Sequence, residues 1–235
     1  MDFYPSIEII LLDIINIIIN MTITSDKLYF MATNKYLLNN IKIESIKINK
    51  HKSQNSIQQD KFKNIKKLTI RSTNNLNISF LTNLTHLKLI SSNIKGVSHL
   101  TNLICLKVSF TSLIKQDDII PLKLLAHLDI DFNNKIYSIT HLTKILYLSA
   151  SGLYNKINQH NILLLTNLTY LNIGCNTKIT DISHLSYLTN LRAMFYNIDI
   201  SKSYQLRTIT YMSRYEPIVS HLTNLTCIKQ DIMCI

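Results

Sequence analysis

Glycine and proline are nearly missing from this chain, with three of each in 235 residues. Sandwiches of tight hairpins and loops that cradle phosphate both draw on those residues, so neither is expected. Tryptophan does not occur. The four cysteines, Cys105, Cys175, Cys227 and Cys234, form no C-x-x-C pair and show no disulfide-like spacing, which points to reduced thiols in an intracellular compartment. Acidic residues are few, 14 against 25 Lys and Arg, giving a formal charge of +11. That charge would suit a nucleic-acid or acidic-membrane partner. The basic residues run from Lys27 to Lys229, however, and their one dense stretch, Lys42 to Lys67, is broken by polar and apolar residues. A solvated, lysine-rich surface accounts for them, and nucleic acid is not the expected partner. Long apolar runs are lacking too. "IEIILLDIINIII" (Ile7 to Ile19) is interrupted by Glu8, Asp13 and Asn16, is too short and polar to span a bilayer, and is followed by no cleavage pattern. A soluble cytoplasmic protein without a membrane partner is expected. The abundance of Asn, Ile and Lys fits an AT-rich genome, and if the source is a virus the compartment is the host cytoplasm.

What the chain has in plenty is one phrase. "HLTNL" stands at His99 to Leu103 and at His221 to Leu225, with near copies at Phe80 to Leu84, Leu164 to Leu168 and Tyr187 to Leu191. Aligned on the last apolar residue, the copies fall at Leu84, Leu103, Leu125, Ile145, Leu168, Leu191 and Leu225, in steps of 19, 22, 20, 23, 23 and 34. After each phrase come two variable positions and an apolar, variable, apolar triplet: Leu87 and Leu89, Leu106 and Val108, Leu128 and Ile130, Leu148 and Ala150, Leu171 and Ile173, Met194 and Tyr196. Ile65, Leu68 and Ile70 supply an earlier copy. That alternation is a short strand with one face inward. A lone strand cannot bury its apolar face, so the repeats must stack into a solenoid with a parallel sheet along its concave side. The two Leu of each phrase point into the core, each contributing about 1.5–3 kcal/mol, while Thr and Asn serve the turn.

The pattern resembles leucine-rich repeat proteins over about 65–235, and "LTNLTYLNIGCNTKITDISHLSYLTNL" (Leu165 to Leu191) looks most like the short repeats of bacterial internalins. The resemblance implies an α/β solenoid with short 3₁₀ turns or extended segments on the convex side. It also implies an Asn ladder three positions past the second strand apolar. Those places hold Thr73, Ser92, Thr111, Asn133, Leu153, Asn176 and Asp199; Leu153 cannot hydrogen bond, so an interruption is expected there.

Residues 1–40 read differently. Ile10, Ile14, Ile17 and Ile18 share one helical stripe, and "SDKLYFMATNKYLLNN" (Ser25 to Asn40) reads as a capped second amphipathic helix. "IILLDIINII" (Ile9 to Ile18) and "DKLYFMATNKYL" (Asp26 to Leu37) resemble an F-box. That resemblance implies that Pro5, Ile10, Leu11, Ile14, Leu28 and Met31 contact the Skp-type adaptor of a cullin-RING ubiquitin ligase. The other reading of the segment is a helical cap packed on the first repeat. Residues 41–64 form a basic, polar connector with a candidate strand around Ile41 to Ile48.

No nucleophile elbow, P-loop, dinucleotide fingerprint or H-E-x-x-H occurs, so no enzyme and no cofactor is expected. His99, His141, His184 and His221 each precede a Leu of the phrase, and His86 and His127 share another repeat position. A fixed phase marks a structural habit rather than metal ligation. Asp117 and Asp118 are expected to sit in a solvated turn. Side chains flanking the inward apolars face outward on the concave sheet, which selects His86, Lys88, Lys107, Phe110, His127, Asp129, Asp131, Phe132, Tyr147 and Tyr170 as the partner-binding face for a protein target. Ser201 to Ser220, within the 34-residue step, is either a degraded repeat or a projecting loop. The apolar ending "CIKQDIMCI" leads to an expectation of association through that end or of a fragile last repeat.

Overall fold

Each phrase closes a pair of three-residue steps. In the computed structural model, Leu81 N donates to Ile78 O at 3.0 Å and Leu84 N donates to Leu81 O at 3.1 Å; the same pair recurs at Val97, Leu100 and Leu103, and at Ile182, Leu185 and Leu188. Bonds from i to i+3 advance three residues per turn. Apolar residues spaced by three therefore fall on one side, and these all lie in the core. Asn extends the effect: Asn102 Nδ2 donates to Thr82 O at 3.0 Å and Asn224 Nδ2 to Tyr204 O at 2.9 Å, tying each corner to the one before.

The described residues are 45–49, 64–71, 77–90, 92–109, 113–194, 198–211 and 217–231. Among them the chain makes ten strands: β1 (Ser45–Asn49), β2 (Lys67–Arg71), β3 (His86–Ile90), β4 (Cys105–Lys107), β5 (His127–Asp129), β6 (Tyr147–Ser149), β7 (Tyr170–Asn172), β8 (Asn190–Ala193), β9 (Thr208–Tyr211) and β10 (Cys227–Gln230). They form one parallel sheet in sequence order. The register aligns Leu68, Leu87, Leu106, Leu128, Leu148, Leu171, Leu191, Ile209 and Ile228. All but Ile228 are buried, so stacked rungs share one apolar spine, as the repeat requires. The strand expected near Ile41 to Ile48 is β1, which pairs with β2 from within the stretch read as a connector. The head, with Pro5, Ile10, Leu11, Ile14, Leu28 and Met31, lies outside the described residues, as does Phe110.

Among the described residues the opposite side holds turns and two four-residue helices, α1 (Gln116–Ile119) and α2 (Gln159–Ile162). The first residue of each grips the following repeat. Gln116 Oε1 accepts from Tyr137 N and Ser138 N at 3.1 and 2.9 Å while its Nε2 donates to Ser138 O at 2.9 Å. Gln159 does the same to Thr180 and Asp181. The phrase histidines form a second ladder, with Nε2 of His99, His141, His184 and His221 donating to the carbonyls of Ile78, Ile119, Ile162 and Ile200 at 3.4, 3.2, 3.1 and 3.1 Å. Their fixed phase thus has a structural cause.

Four expectations are corrected. Leu153 does not break the Asn ladder, because Asn155 takes the rung: its Nδ2 donates to Ile130 O at 2.9 Å, between Asn133 on Ile114 O and Asn176 on Ala150 O. Leu153 is instead 65% exposed. The copy at Tyr187 to Leu191 is out of phase. Leu188 ends the turns and Leu191 is the strand residue paired with Leu171, so Leu191 and Ala193 point inward in place of Met194, and Tyr196 lies outside the described residues. Asp199 accordingly bridges Asp181 and is not a ladder rung. Asp118 is buried, not solvated; its Oδ2 accepts from Lys115 N at 2.9 Å and Oδ1 from Val97 N at 3.3 Å, whereas Asp117 stays exposed and pairs with Lys115. Cys105 and Cys227 are free thiols, but Cys175 is disulfide-bonded. Spacing along a chain says nothing about which residues a solenoid brings together. The 34-residue step contains a strand, β9, that pairs with β8 and β10 in the sheet.

Candidate functional site

Side chains that alternate with the buried spine leave the sheet on its open face in rows one strand apart, about 4.8 Å. The first row runs Lys67, His86, Cys105, His127, Tyr147, Tyr170, Asn190 and Thr208. The second runs Thr69, Lys88, Lys107, Asp129, Ser149, Asn172, Arg192 and Thr210. The structure therefore brings His86, Lys88, Lys107, His127, Asp129, Tyr147 and Tyr170 onto one surface, with Asp131 beyond the end of β5.

At its centre Tyr147 and Tyr170 stack, ring centroids 4.1 Å apart and planes 7° from parallel. His127 meets Tyr147 edge-on at 4.8 Å, and Lys107 Nζ lies 5.5 Å from the Tyr147 ring centroid. Burial, then the Tyr170 phenol and the charges of Asp129 and Asp131, push the Tyr147 phenol far above its ordinary value, so it stays a neutral donor. Burial and the charge of Lys67 lower His86; burial and Lys107 lower His127. Both imidazoles are held toward the neutral form.

The two carboxylates next to the tyrosines are anchored. Asp131 Oδ1 accepts from Ser149 Oγ and Ser151 N, each at 2.8 Å, and Asn172 Nδ2 donates to Asp131 Oδ2 at 3.3 Å and to Ser149 Oγ at 2.8 Å. Ser109 Oγ donates to Asp129. Burial and the neighbouring charge of Asp129 raise the Asp131 carboxyl above the usual range, outweighing the bonds from Ser151 and Ser149. The buried Ser149, Ser151 and Asn172 thus fix the orientation of the acids.

Phe132 is placed by a different device. It has φ +58, Gly152 one rung on has φ +114 and Cys175 on the next has φ +58, each three residues past the last residue of its strand. A Cβ on Gly152 would lie 2.9 Å from Phe132 Cδ1. The ring therefore lies over a glycine and remains 49% exposed. Sequence reasoning missed Arg192, because the copy at Tyr187 to Leu191 was read out of phase; in the correct register it follows Asn172 in the second row and pairs with Asp231.

No protein-family model matches the chain, and no curated protein does. Solved structures do. An internalin (InlF) of Listeria monocytogenes is similar over 76% of this chain and 65% of its own, at 20% identity and TM-score 0.55. Internalin C2 of the same organism is similar over 74% of this chain and 84% of its own, at 23% identity and TM-score 0.50. A leucine-rich repeat protein of Leptospira interrogans covers 85% of this chain at 18% identity and TM-score 0.53, and this chain spans 58% of that structure. Among the described residues no helix is long and apolar enough to cross a membrane. With the parallel sheet and its single spine, these likenesses show that the fold is that of the leucine-rich repeat proteins.

Proposed function

We propose that this chain is a binding scaffold that captures a protein partner on the open face of its sheet. The stacked pair Tyr147 and Tyr170 supports this reading most strongly. Two aromatic rings with polar tips, set beside anchored carboxylates and flexible lysines, are the composition of an interface hot spot surrounded by a polar rim. Nothing in the spine requires aromatics there, since the same row holds Asn190 and Thr208 on later strands. Phe132, beyond the end of β5 and over Gly152, adds a further exposed ring.

The finer reading makes the scaffold a substrate-recognition subunit of a cullin-RING ubiquitin ligase. It rests on the F-box-like sequence pattern in residues 4–40, with Pro5, Ile10, Leu11, Ile14, Leu28 and Met31 as the adaptor contacts. In that arrangement the chain catalyses nothing and acts by raising the effective concentration of a target near a ubiquitin-loading enzyme. Affinity capture from cells with wild type, Tyr147→Ala and Ile14→Asp tests both levels. Tyr147→Ala should lose the target by about tenfold or more, and Ile14→Asp should lose a Skp-type adaptor while retaining the target. A target captured equally by wild type and Tyr147→Ala overturns the scaffold reading on this face; no adaptor in the wild-type capture overturns the ligase reading alone.

A further inference from the structure

The open face changes sign along a single row. Lys88 and Lys107 are register partners on β3 and β4, and the next residue in that row is Asp129 on β5. Lys67 and Arg71 extend the positive side on β2. Asp131, beyond the end of β5, lies on the same side as Asp129, its carboxylate accepting from Ser149 Oγ and Ser151 N. Like charges opposite each other on neighbouring strands are unfavourable. Among the described residues the ion pairs are Lys115 with Asp117 and Arg192 with Asp231, so none of these four cations pairs with a described carboxylate. A carboxylate one strand away from Lys107 is meanwhile held by Ser109. The face keeps both charges apart and available.

We propose that the partner docks through an acidic segment of its chain, with its carboxylates over Lys67, Arg71, Lys88 and Lys107 and a Lys or Arg over Asp129 and Asp131. This deepens the scaffold reading and rests on it. The sign reversal selects a protein over a nucleic acid. The positive strip is three strands wide, on the order of 10 Å between its outer strands. An unbroken polyanion following the row runs from the lysines onto two carboxylates, whereas a polypeptide can change charge within two or three residues. Complementary charge of this kind governs encounter rate and partner choice more than raw affinity.

Selection from a random dodecapeptide display library on the immobilised full chain tests this, run in parallel on wild type, Lys88→Glu/Lys107→Glu and Tyr147→Ala, with a uridine dodecamer as competitor. All three proteins are first checked for matching thermal unfolding. Wild type should enrich peptides with Asp and Glu in one block and Lys or Arg in another. The charge-reversed double variant should bind those peptides about tenfold more weakly, and the oligonucleotide should displace them only in large excess. A pool without acidic enrichment, or one bound equally by the charge-reversed variant, overturns the proposal. So does a uridine dodecamer that binds as tightly as the peptides. If a neutral pool is selected and lost in Tyr147→Ala, only the charge inference fails; if Tyr147→Ala selects the same pool as wild type, the scaffold reading fails with it.

Discussion

The carboxamide of Asn155 satisfies backbone groups that water cannot reach. It is 0% exposed, its Nδ2 donates to Ile130 O at 2.9 Å and its Oδ1 accepts from Ile157 N at 3.0 Å. Truncation to Ala leaves the buried Ile157 N without its acceptor and takes from Ile130 O one of two donors, Asn133 N at 3.1 Å remaining, so Asn155→Ala should cost about 1–3 kcal/mol in urea unfolding. Leu153→Asn, which restores the amide at the expected ladder position, should change stability by less than about 0.5 kcal/mol because that side chain is in solvent. A stabilising Leu153→Asn would mean that the rung belongs to 153 after all. The sequence alone favoured 153, since counting three from Ala150 ignores the turn at Gly152. That glycine, at φ +114 and against the Phe132 ring, spends two extra residues before the chain re-enters the core. Length variation inside one rung is invisible to a fixed count.

At the scale of one repeat, the strand is what the sequence announces most clearly and the returning segment what it announces least. Apolar, variable, apolar located β2 to β7 because a strand has only two faces to choose between. The copy at Tyr187 to Leu191 misled because Leu185, Leu188 and Leu191 are all three apart, so either Leu188 or Leu191 can close the turn. Ala193 decides it, a small inward residue where Ala150 also sits. The glutamine grips could not be read at all, since nothing about a Gln says that its amide spans to the next coil. Gln116 is buried and serves three backbone groups of the following repeat, whereas Gln159 makes equivalent bonds at a more open site. Water can replace an amide at the second site more easily than at the first. Gln116→Ala should therefore cost about 2–3 kcal/mol and Gln159→Ala about 1 kcal/mol or less by thermal or urea unfolding. Equal losses would show that solvent access does not govern the grip.

For the whole molecule, stability is close to a sum of rungs and of the interfaces between neighbours, because among the described residues the strands pair only with their neighbours and few side chains, such as Asn172 on Asp131, reach a rung further. The position of a lesion along the stack should then matter as much as its size. Leu128 lies in the middle of the spine and is fully buried; Ile228 holds the same register on β10 yet is 39% exposed. Leu128→Ala should cost about 2–5 kcal/mol, since the cavity is lined by two rungs that cannot collapse onto it, and Ile228→Ala about 1 kcal/mol or less. The pattern of hydrogen exchange distinguishes a stack from a core with a common centre. In a stack, Leu128→Ala loosens the amides of β4, β5 and β6 first, and those of β8 and β9 keep most of their protection because their own interfaces are intact. A uniform fall in protection from β2 to β9 would mean that the rungs unfold as one unit, and a change at the open face near Asp129 would then be felt along the entire sheet rather than at the rungs that bear the tyrosines.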